Sequence, residues 1–322
     1  MSLGEFDIIA KYFTRAAGRS DVLLSVGDDA AVVSVPQDRR LVVAIDTLVE
    51  GVHFPIDTAA ADIGHRALAV NLSDLAAMGA QPAWMTLALS LPHANEDWIR
   101  DFAAGLHGLA EQFNVALIGG DTVKGPRVIT VQVAGWVETD RWLTRAGAQP
   151  GDVLFVSGVP GEAAAGLATI QRHLTDSPAI TQLRARFLRP SPRIDLGRWL
   201  RPFASAAMDV SDGLLTDLDK LCAASGCGAR IDLDRLPPSP AMRAVFDAQS
   251  CLNFTLAGGD DYELLFAVPA AEAKRLETMS PPVACQAIGV ITADRKVECM
   301  RDGAPTRIDV RGYDHFGNEA GS

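Results

Sequence analysis

The sequence predicts a mixed α+β protein built in two halves of similar size. Three observations carry that prediction. Short β-prone runs alternate with longer stretches of helical apolar spacing along the 322 residues. A polar, turn-rich stretch, "TDRWLTRAGAQPGD", breaks the alternation at about Thr139 to Gly151 and sets halves at 1–140 and 141–322. Neither half carries a low-complexity segment or a short repeat.

Taken in order, residues 22–35 and 41–45 ("LVVAI") read as strands split by the turn "PQDRR". "ADIGHRALAVNLSDLAAMGAQP" reads as a helix, with Ile63, Ala67, Val70 and Leu75 near helical spacing and Gly79 and Pro82 as stops. "WMTLALSLP" alternates as a strand does. "NEDWIRDFAAGLHGLAEQFN" is an amphipathic helix whose Trp98, Phe102, Leu106, Leu109 and Phe113 form a core stripe, with Asn95 as N-cap and acids in the first turn. "VALIGG" and "RVITVQVAGWVE" complete the strands of the first half.

In the second half, "DVLFVSG" is a strand, "GEAAAGLATIQRHL" a helix and "LRPSPR" a connector. "SAAMDV" is a strand that leads into a helix from Ser211. "GARIDL", "YELLFAV" and the pair in "CQAIGVITADRKVECM" are further strands, with the helix "AAEAKRLETM" before the last pair.

Composition narrows the function. The chain is 48% hydrophobic with net charge −11, which lacks the basic footprint of a nucleic-acid binder. No stretch reaches the ~20 apolar residues of a membrane span, so no membrane partner is expected. "MSLGEFDIIAKYF" carries Glu5 and Asp7 where a secretory signal has basic residues, so a cytoplasmic location is expected. The 5 cysteines, an odd number with no Cys-x-x-Cys pair, argue against disulfides and zinc.

The distinctive feature is a recurring carboxylate. "SVGDDAAVV" sets Asp28 and Asp29 side by side after a glycine. Alone, that reads as an exposed turn. Asp46 then follows "LVVAI", Asp74 lies in an apolar helix one turn from Asn71, and Asp121 follows "ALIGG". Asp209 and Asp212 bracket "DVSDG", and Asp260 and Asp261 follow "LAGG". Ligand sites in layered folds gather at strand ends. Hard oxygen donors without a His/Cys cluster select Mg²⁺, Mn²⁺ or Ca²⁺. Carboxylates spread over most of the chain suit several Mg²⁺ ions clamping a polyphosphate. No P-loop and no kinase-type Gly-rich loop occurs. "SGVPGEAAAG" reads as a plain helix start rather than a phosphate cradle. Ser211 in "DVSDGL" either caps a helix or marks a helix start that attracts phosphate. Arg145 in "LTRAG" suits a phosphate clamp. His53, taken alone, reads as structural.

Together the motifs "GEFDIIAKYF", "GDDAAVV", "DTLVEGVHF", "NLSDLAAMGAQPAW", "LIGGDT", "LTRAGAQPGD", "LRPSPR", "DVSDGL", "GGDDYELLF" and "GYDHF" run almost end to end. In their order and spacing the chain resembles the thiamine-monophosphate kinase family, within the superfamily of aminoimidazole ribonucleotide synthetase and selenophosphate synthetase. The resemblance implies an aminoimidazole ribonucleotide synthetase-like two-domain architecture. The N-terminal domain sheets of a homodimer would pair into a barrel, and the C-terminal domain would be an α/β sandwich completing the nucleotide site. It implies ATP-dependent phosphorylation of thiamine monophosphate to thiamine diphosphate. By motif, Asp29, Asp46, Asp74, Asp121, Asp209 and Asp212 would hold Mg²⁺. Gly120, Asp121, Arg145 and Ser211 would contact ATP, and His53, Asp260 and Phe316 the thiamine phosphate. The chain departs from the family at Ala44 and Ile45, where hydroxyl residues are usual, and at Asp260, where glutamate is usual.

Rival readings are a sister enzyme of the superfamily, a non-catalytic nucleotide-binding protein and a Mg²⁺-dependent phosphatase. A selenophosphate synthetase is disfavoured because the first half has no cysteine.

Overall fold

The computed structural model describes residues 4–15, 18–310 and 312–313. The chain divides into two compact units, one running to Leu75 and over Ala80–Trp142, the other comprising Ala76–Gly79 and everything from Leu143. Both mix helices and sheets, as the sequence predicts.

The first unit is organised on β3 (Arg39–Val49), β4 (Gln81–Leu91), β5 (Ala116–Lys124) and β6 (Val128–Glu138), in the order β3-β6-β4-β5. Leu48, Leu87, Leu89, Ile129, Val131 and Val133 are buried along one face. The paired register Leu48↔Ile129, Leu87↔Val131 and Leu89↔Ile129 places them there together. α3 (Glu96–Gln112) buries Ile99, Phe102, Leu106 and Leu109, and the Asn95 side chain accepts the Trp98 amide at 3.1 Å, the expected cap. The opposite face is covered at one end, where Trp84, Trp136 and Ala116 cluster with Val22 and Val33, and is open along β3. Leu41, Val43 and Ile45 on β3 are half or more exposed.

Two local expectations change here. The run 22–35 is not one strand but β1 (Val22–Leu24) and β2 (Val32–Val33), because Gly27 takes φ 120 and turns the chain. The helix α2 (Ala60–Ala77) ends before Gly79, at φ 66, and Pro82 lies inside β4 at a bulge in its pairing with β6.

The second unit has a seven-stranded sheet, in the order β13-β12-β9-β11-β7-β10-β8. Its strands are β7 (Val153–Ser157), β8 (Ala206–Val210), β9 (Gly228–Asp232), β10 (Glu263–Val268), β11 (Cys285–Thr292), β12 (Val297–Arg301) and β13 (Ala304–Thr306). Only β12 and β9 pair in parallel. β10 is buried along its whole length, so both faces are covered. Leu265 and Ala267 join Leu214, Leu218 and Leu221 of α7 (Leu214–Ser225), while Phe266 stacks on Phe155 with centroids 5.4 Å apart. The sequence reading did not place α5 (Pro178–Leu188), α8 (Pro240–Val245) or α9 (Ala248–Ala257). All five cysteines are free thiols. No helix among the described residues is long and apolar enough to cross a membrane.

Candidate active site

In the second unit four of the expected residues, Asp209, Ser211, Asp212 and Asp260, converge on one turn, whereas Arg145 lies beside Ser225 at the far end of the following helix. β8 ends at Val210, and the chain passes through Ser211, Asp212 and Gly213 into α7. Gly213 takes φ 121 and ψ 147, and it, rather than Ser211, occupies the cap position. Three successive amides, of Ser211, Asp212 and Gly213, donate to a single oxygen, Oδ2 of Asp217, at 2.9, 2.9 and 3.2 Å. Asp217 is fully buried; burial raises its pKa, against the opposing pull of the Lys220 ammonium. Its other oxygen accepts from Lys220 Nζ at 2.8 Å, and the same Nζ donates to Asp212 Oδ2. The amides that could have faced a phosphate are thus taken up by a side chain of the protein itself.

The carbonyls of the turn are bonded as well. Val210 O accepts from the Tyr262 amide and Ser211 O from the Asp260 amide, both at 2.8 Å. Asp212 O accepts from the Tyr313 amide at 3.0 Å. Asp260 and Tyr262 both take positive φ, 71 and 51, and the Tyr262 hydroxyl donates to Asp260 Oδ1 at 3.1 Å. Asp209, Ser211, Asp212 and Asp260 are therefore positioned by backbone bonds within one unit. Phe316 lies outside the described residues.

The neighbouring acids have different work. Asp261 Oδ2 accepts the Gly161 amide at 2.6 Å and Oδ1 the Ala163 amide at 3.3 Å, filling the start of α4 (Glu162–Gln171). "SGVPGEAAAG" is accordingly an ordinary helix start. Burial pushes the Asp261 pKa up to about 8, although those amides pull it down. Glu263 is fully buried and bonded to Arg193 Nε at 2.7 Å, Arg186 Nη2 at 2.6 Å and the Ser157 hydroxyl. Burial raises the Glu263 pKa, but the two arginines win and hold it below the usual range. Arg193 belongs to "LRPSPR", so that motif holds the strand start beside Asp260.

In the first unit the expected residues are spread out. Asp28 and Asp29 are exposed in the turn after β1, where the Asp29 amide donates to Asp28 Oδ1 at 2.8 Å. Asp46 and Asp121 lie inside β3 and β5 rather than beyond their ends, because pairing with β6 and β4 continues past them. One row of the sheet runs Asp46–Val131–Leu87–Gly120, so Asp46 and Asp121 sit near opposite edges, about 14 Å apart by strand spacing. Asp121 belongs to the next row, Thr47–Thr130–Ala88–Asp121, which faces the open side. Gly120 is required there, since an added Cβ would lie 1.9 Å from the Leu87 carbonyl oxygen. The Asp46 amide donates to Asn71 Oδ1 at 2.9 Å, and Asn71 Nδ2 donates to Ala67 O, so α2 carries Asp74 beside the outer edge of β3. His53 Nδ1 accepts the Val49 amide at 3.0 Å, which leaves Nε2 as the proton-bearing nitrogen of the neutral ring. Arg145 is exposed in the second unit, and its guanidinium meets no carboxylate among the described residues.

Among the described residues no three His, Cys, Asp or Glu side chains gather closely enough to hold a metal ion. The donor chemistry nonetheless fits Mg²⁺, which is commonly held by one or two carboxylates together with waters and substrate phosphates rather than by a protein cage. The Lys220 ammonium on Asp212 shows that this carboxylate is presented to a cation.

Sequence reasoning missed Asp217, Lys220 and the bonding roles of Asn71, Asp261 and Glu263. One signal was available: Leu214, Asp217, Leu218 and Leu221 share a helical stripe, so Asp217 falls on the buried face.

Comparison with known proteins matches both halves. The AIR synthase related protein N-terminal domain matches residues 27–137 and its C-terminal domain residues 149–302. The chain is 47% identical to the thiamine-monophosphate kinase of Escherichia coli K12 over 98% of this chain and 99% of that one. It superposes on the crystal structure of thiamine-monophosphate kinase from Stenotrophomonas maltophilia K279a with a TM-score of 0.86 at 46% identity, covering 95% and 99% of the two chains. AaThiL complexed with AMPPCP and TMP gives a TM-score of 0.77 at 31% identity, covering 98% and 97%.

Proposed function

The chain belongs to the thiamine-monophosphate kinase family of AIR synthase related proteins, and from that premise we propose that it transfers the γ-phosphoryl group of ATP to thiamine monophosphate, giving thiamine diphosphate and ADP. The observation that carries this is the 47% identity to the Escherichia coli kinase across 98% of this chain.

In this reading Asp29, Asp46, Asp74, Asp121, Asp209 and Asp212 hold Mg²⁺. When bound, the ions neutralise phosphate charge and orient the transferred group. Gly120, Asp121, Arg145 and Ser211 hold the nucleotide, Arg145 as a cation free to form a bidentate contact. His53 and Asp260 meet the thiamine phosphate, and Phe316 is assigned to its thiamine ring. Asp260 is a methylene shorter than the family's usual glutamate, and its positive φ and the Tyr262 hydroxyl fix its position. The acceptor is a phosphate oxygen already ionised near neutral pH, so no strong general base is needed. Transfer is direct and in line; trapping of a covalently phosphorylated enzyme sinks that step.

The working unit of this proposal is a cytoplasmic homodimer. Residues 1–140 supply metal binding and dimerisation, and 141–322 complete the nucleotide and substrate site. The open sheet face supports the pairing, because it leaves Leu41, Val43 and Ile45 in water beside the row that bears Asp121. A second copy's sheet would cover that face and bring further carboxylates to it.

The test incubates the purified chain with ATP and Mg²⁺, with and without thiamine monophosphate, and quantifies ADP and thiamine diphosphate. Equal, acceptor-dependent yields are expected. ADP and phosphate without thiamine diphosphate identify a hydrolase instead, and no ADP at all identifies a binding protein.

A further inference from the structure

Lys220, on α7, bonds to the turn and has no part in the reaction described above. We propose that Lys220 is a resident counter-cation for Asp212: it occupies that carboxylate in the nucleotide-free protein and gives it up to a divalent cation. This rests on the reading of Asp212 as a metal ligand.

Three observations support it. Lys220 Nζ bridges two carboxylates, Asp212 Oδ2 and Asp217 Oδ1, and so shares its single positive charge between them. Asp217 does not depend on it alone, because three backbone amides also bond its Oδ2. Asp217 therefore keeps its partners when the ammonium moves, and Asp212 is the carboxylate that is released. Lys220 also has somewhere to go. Its side chain is 37% exposed and lines a cavity of about 940 Å³ with Thr216, Asp219, Gly312 and Tyr313. A flexible four-carbon stem suits such a move better than a guanidinium fork does.

The physical consequence is competition. A unit positive charge in contact with Asp212 opposes a divalent cation at the same oxygens and lowers its affinity. Metal arriving with nucleotide brings phosphate charge of its own, which offsets the exchange. Lys220 thus biases the site against free metal and towards metal delivered with phosphates.

The experiment titrates Mn²⁺ alone into the full-length, nucleotide-free chain and reads bound metal by electron paramagnetic resonance. Lys220→Met is expected to bind Mn²⁺ at least about threefold more tightly than the original chain. Lys220→Arg, which keeps the charge, is expected to stay within about twofold of it. The gain must vanish in Asp212→Asn, which has no anion to release. Lys220→Gln serves as the second neutral variant should Lys220→Met fold poorly by circular dichroism. Unchanged or weaker Mn²⁺ binding in the neutral variants overturns the proposal, as does a gain that survives in Asp212→Asn. Weakened ATP binding without a gain in metal affinity also overturns it, since Lys220 would then be a phosphate ligand. No thiamine phosphate enters the measurement, so it stays readable even if the chain fails to make thiamine diphosphate.

Discussion

The two units carry the same kind of residue in opposite ways. In the second, the acids are folded into hydrogen-bond networks: Asp217 takes three amides and a lysine, Asp261 two amides, and Glu263 two arginines and a serine. In the first, Asp29 and Asp121 are exposed, and Asp46 and Asp121 sit near opposite edges of one sheet. The second unit satisfies these acids with its own backbone amides and side chains. The first presents carboxylates on a framework that other charges and surfaces must finish. Buried acids here hold backbone turns and strand starts together, and the exposed ones are the carboxylates proposed to meet ligands. A series of substitutions separates these two kinds of acid.

The largest expected effect is at Glu263. Glu263→Ala leaves the Arg193 guanidinium largely buried without its carboxylate, and Arg186 with only the longer contact to Glu162 at 3.5 Å. A loss of about 3–5 kcal/mol is expected, read by urea unfolding. Limited proteolysis should place the loosening in the second unit. A loss under about 1 kcal/mol would mean that the network is dispensable and the contrast between units is weaker than drawn.

Asp46→Asn and Asp121→Asn test the other side. Each is expected to lower thiamine diphosphate formation at least about a hundredfold, while unfolding free energy stays within about 0.5 kcal/mol. The hydrogen bond from the Asp46 amide to Asn71 is preserved by the substitution. Near-normal rates at limiting Mg²⁺ in either variant remove that residue from the metal set.

Much of this arrangement was legible before any fold was known. The strand and helix order of the first half followed from apolar spacing, and the Asn95 cap from its place before an acidic first turn. The motifs located Asp209, Ser211, Asp212 and Asp260, and these do converge on one turn. What the chain alone concealed was which of two adjacent acids does which task. Asp260 and Asp261 look alike in "GGDDY", yet one holds a left-handed backbone position and the other is buried under a helix start. That division depends on contacts 100 residues away, at Gly161, and local pattern does not carry such information. The helices α8 and α9 were missed for a related reason. They are short, and their stability comes from packing, as Met242 and Cys251 do in a cluster with Leu183.

A smaller effect is expected on the open face. Ile45→Asp places a charge among Leu41, Val43 and Ile45 with little cost to the unit itself. It should weaken self-association at least about tenfold in sedimentation equilibrium, since burying that charge against a second copy is unfavourable. Unchanged association assigns the pairing to another surface and leaves the open face of the first unit unexplained.

The finest distinction lies within the second unit, at Asp261. Burial holds its pKa in the folded chain at about 8, well above the ordinary aspartate value of about 3.9. The folded protein therefore holds a proton that the unfolded chain releases. The stability tied to that proton is fully present below about pH 4 and is lost as pH rises towards 8. Asp261→Asn has no such proton. The stability of the original chain relative to this variant should fall by about 1.4 kcal/mol per pH unit between pH 5 and 7.5, read by urea unfolding at stepped pH. A difference that stays flat would show Asp261 ionised throughout, held by the Gly161 and Ala163 amides and the positive end of α4. In that case the α4 start is held by a fixed charge, and the stability of the second unit is insensitive to pH at this residue across the range in which the kinase would work.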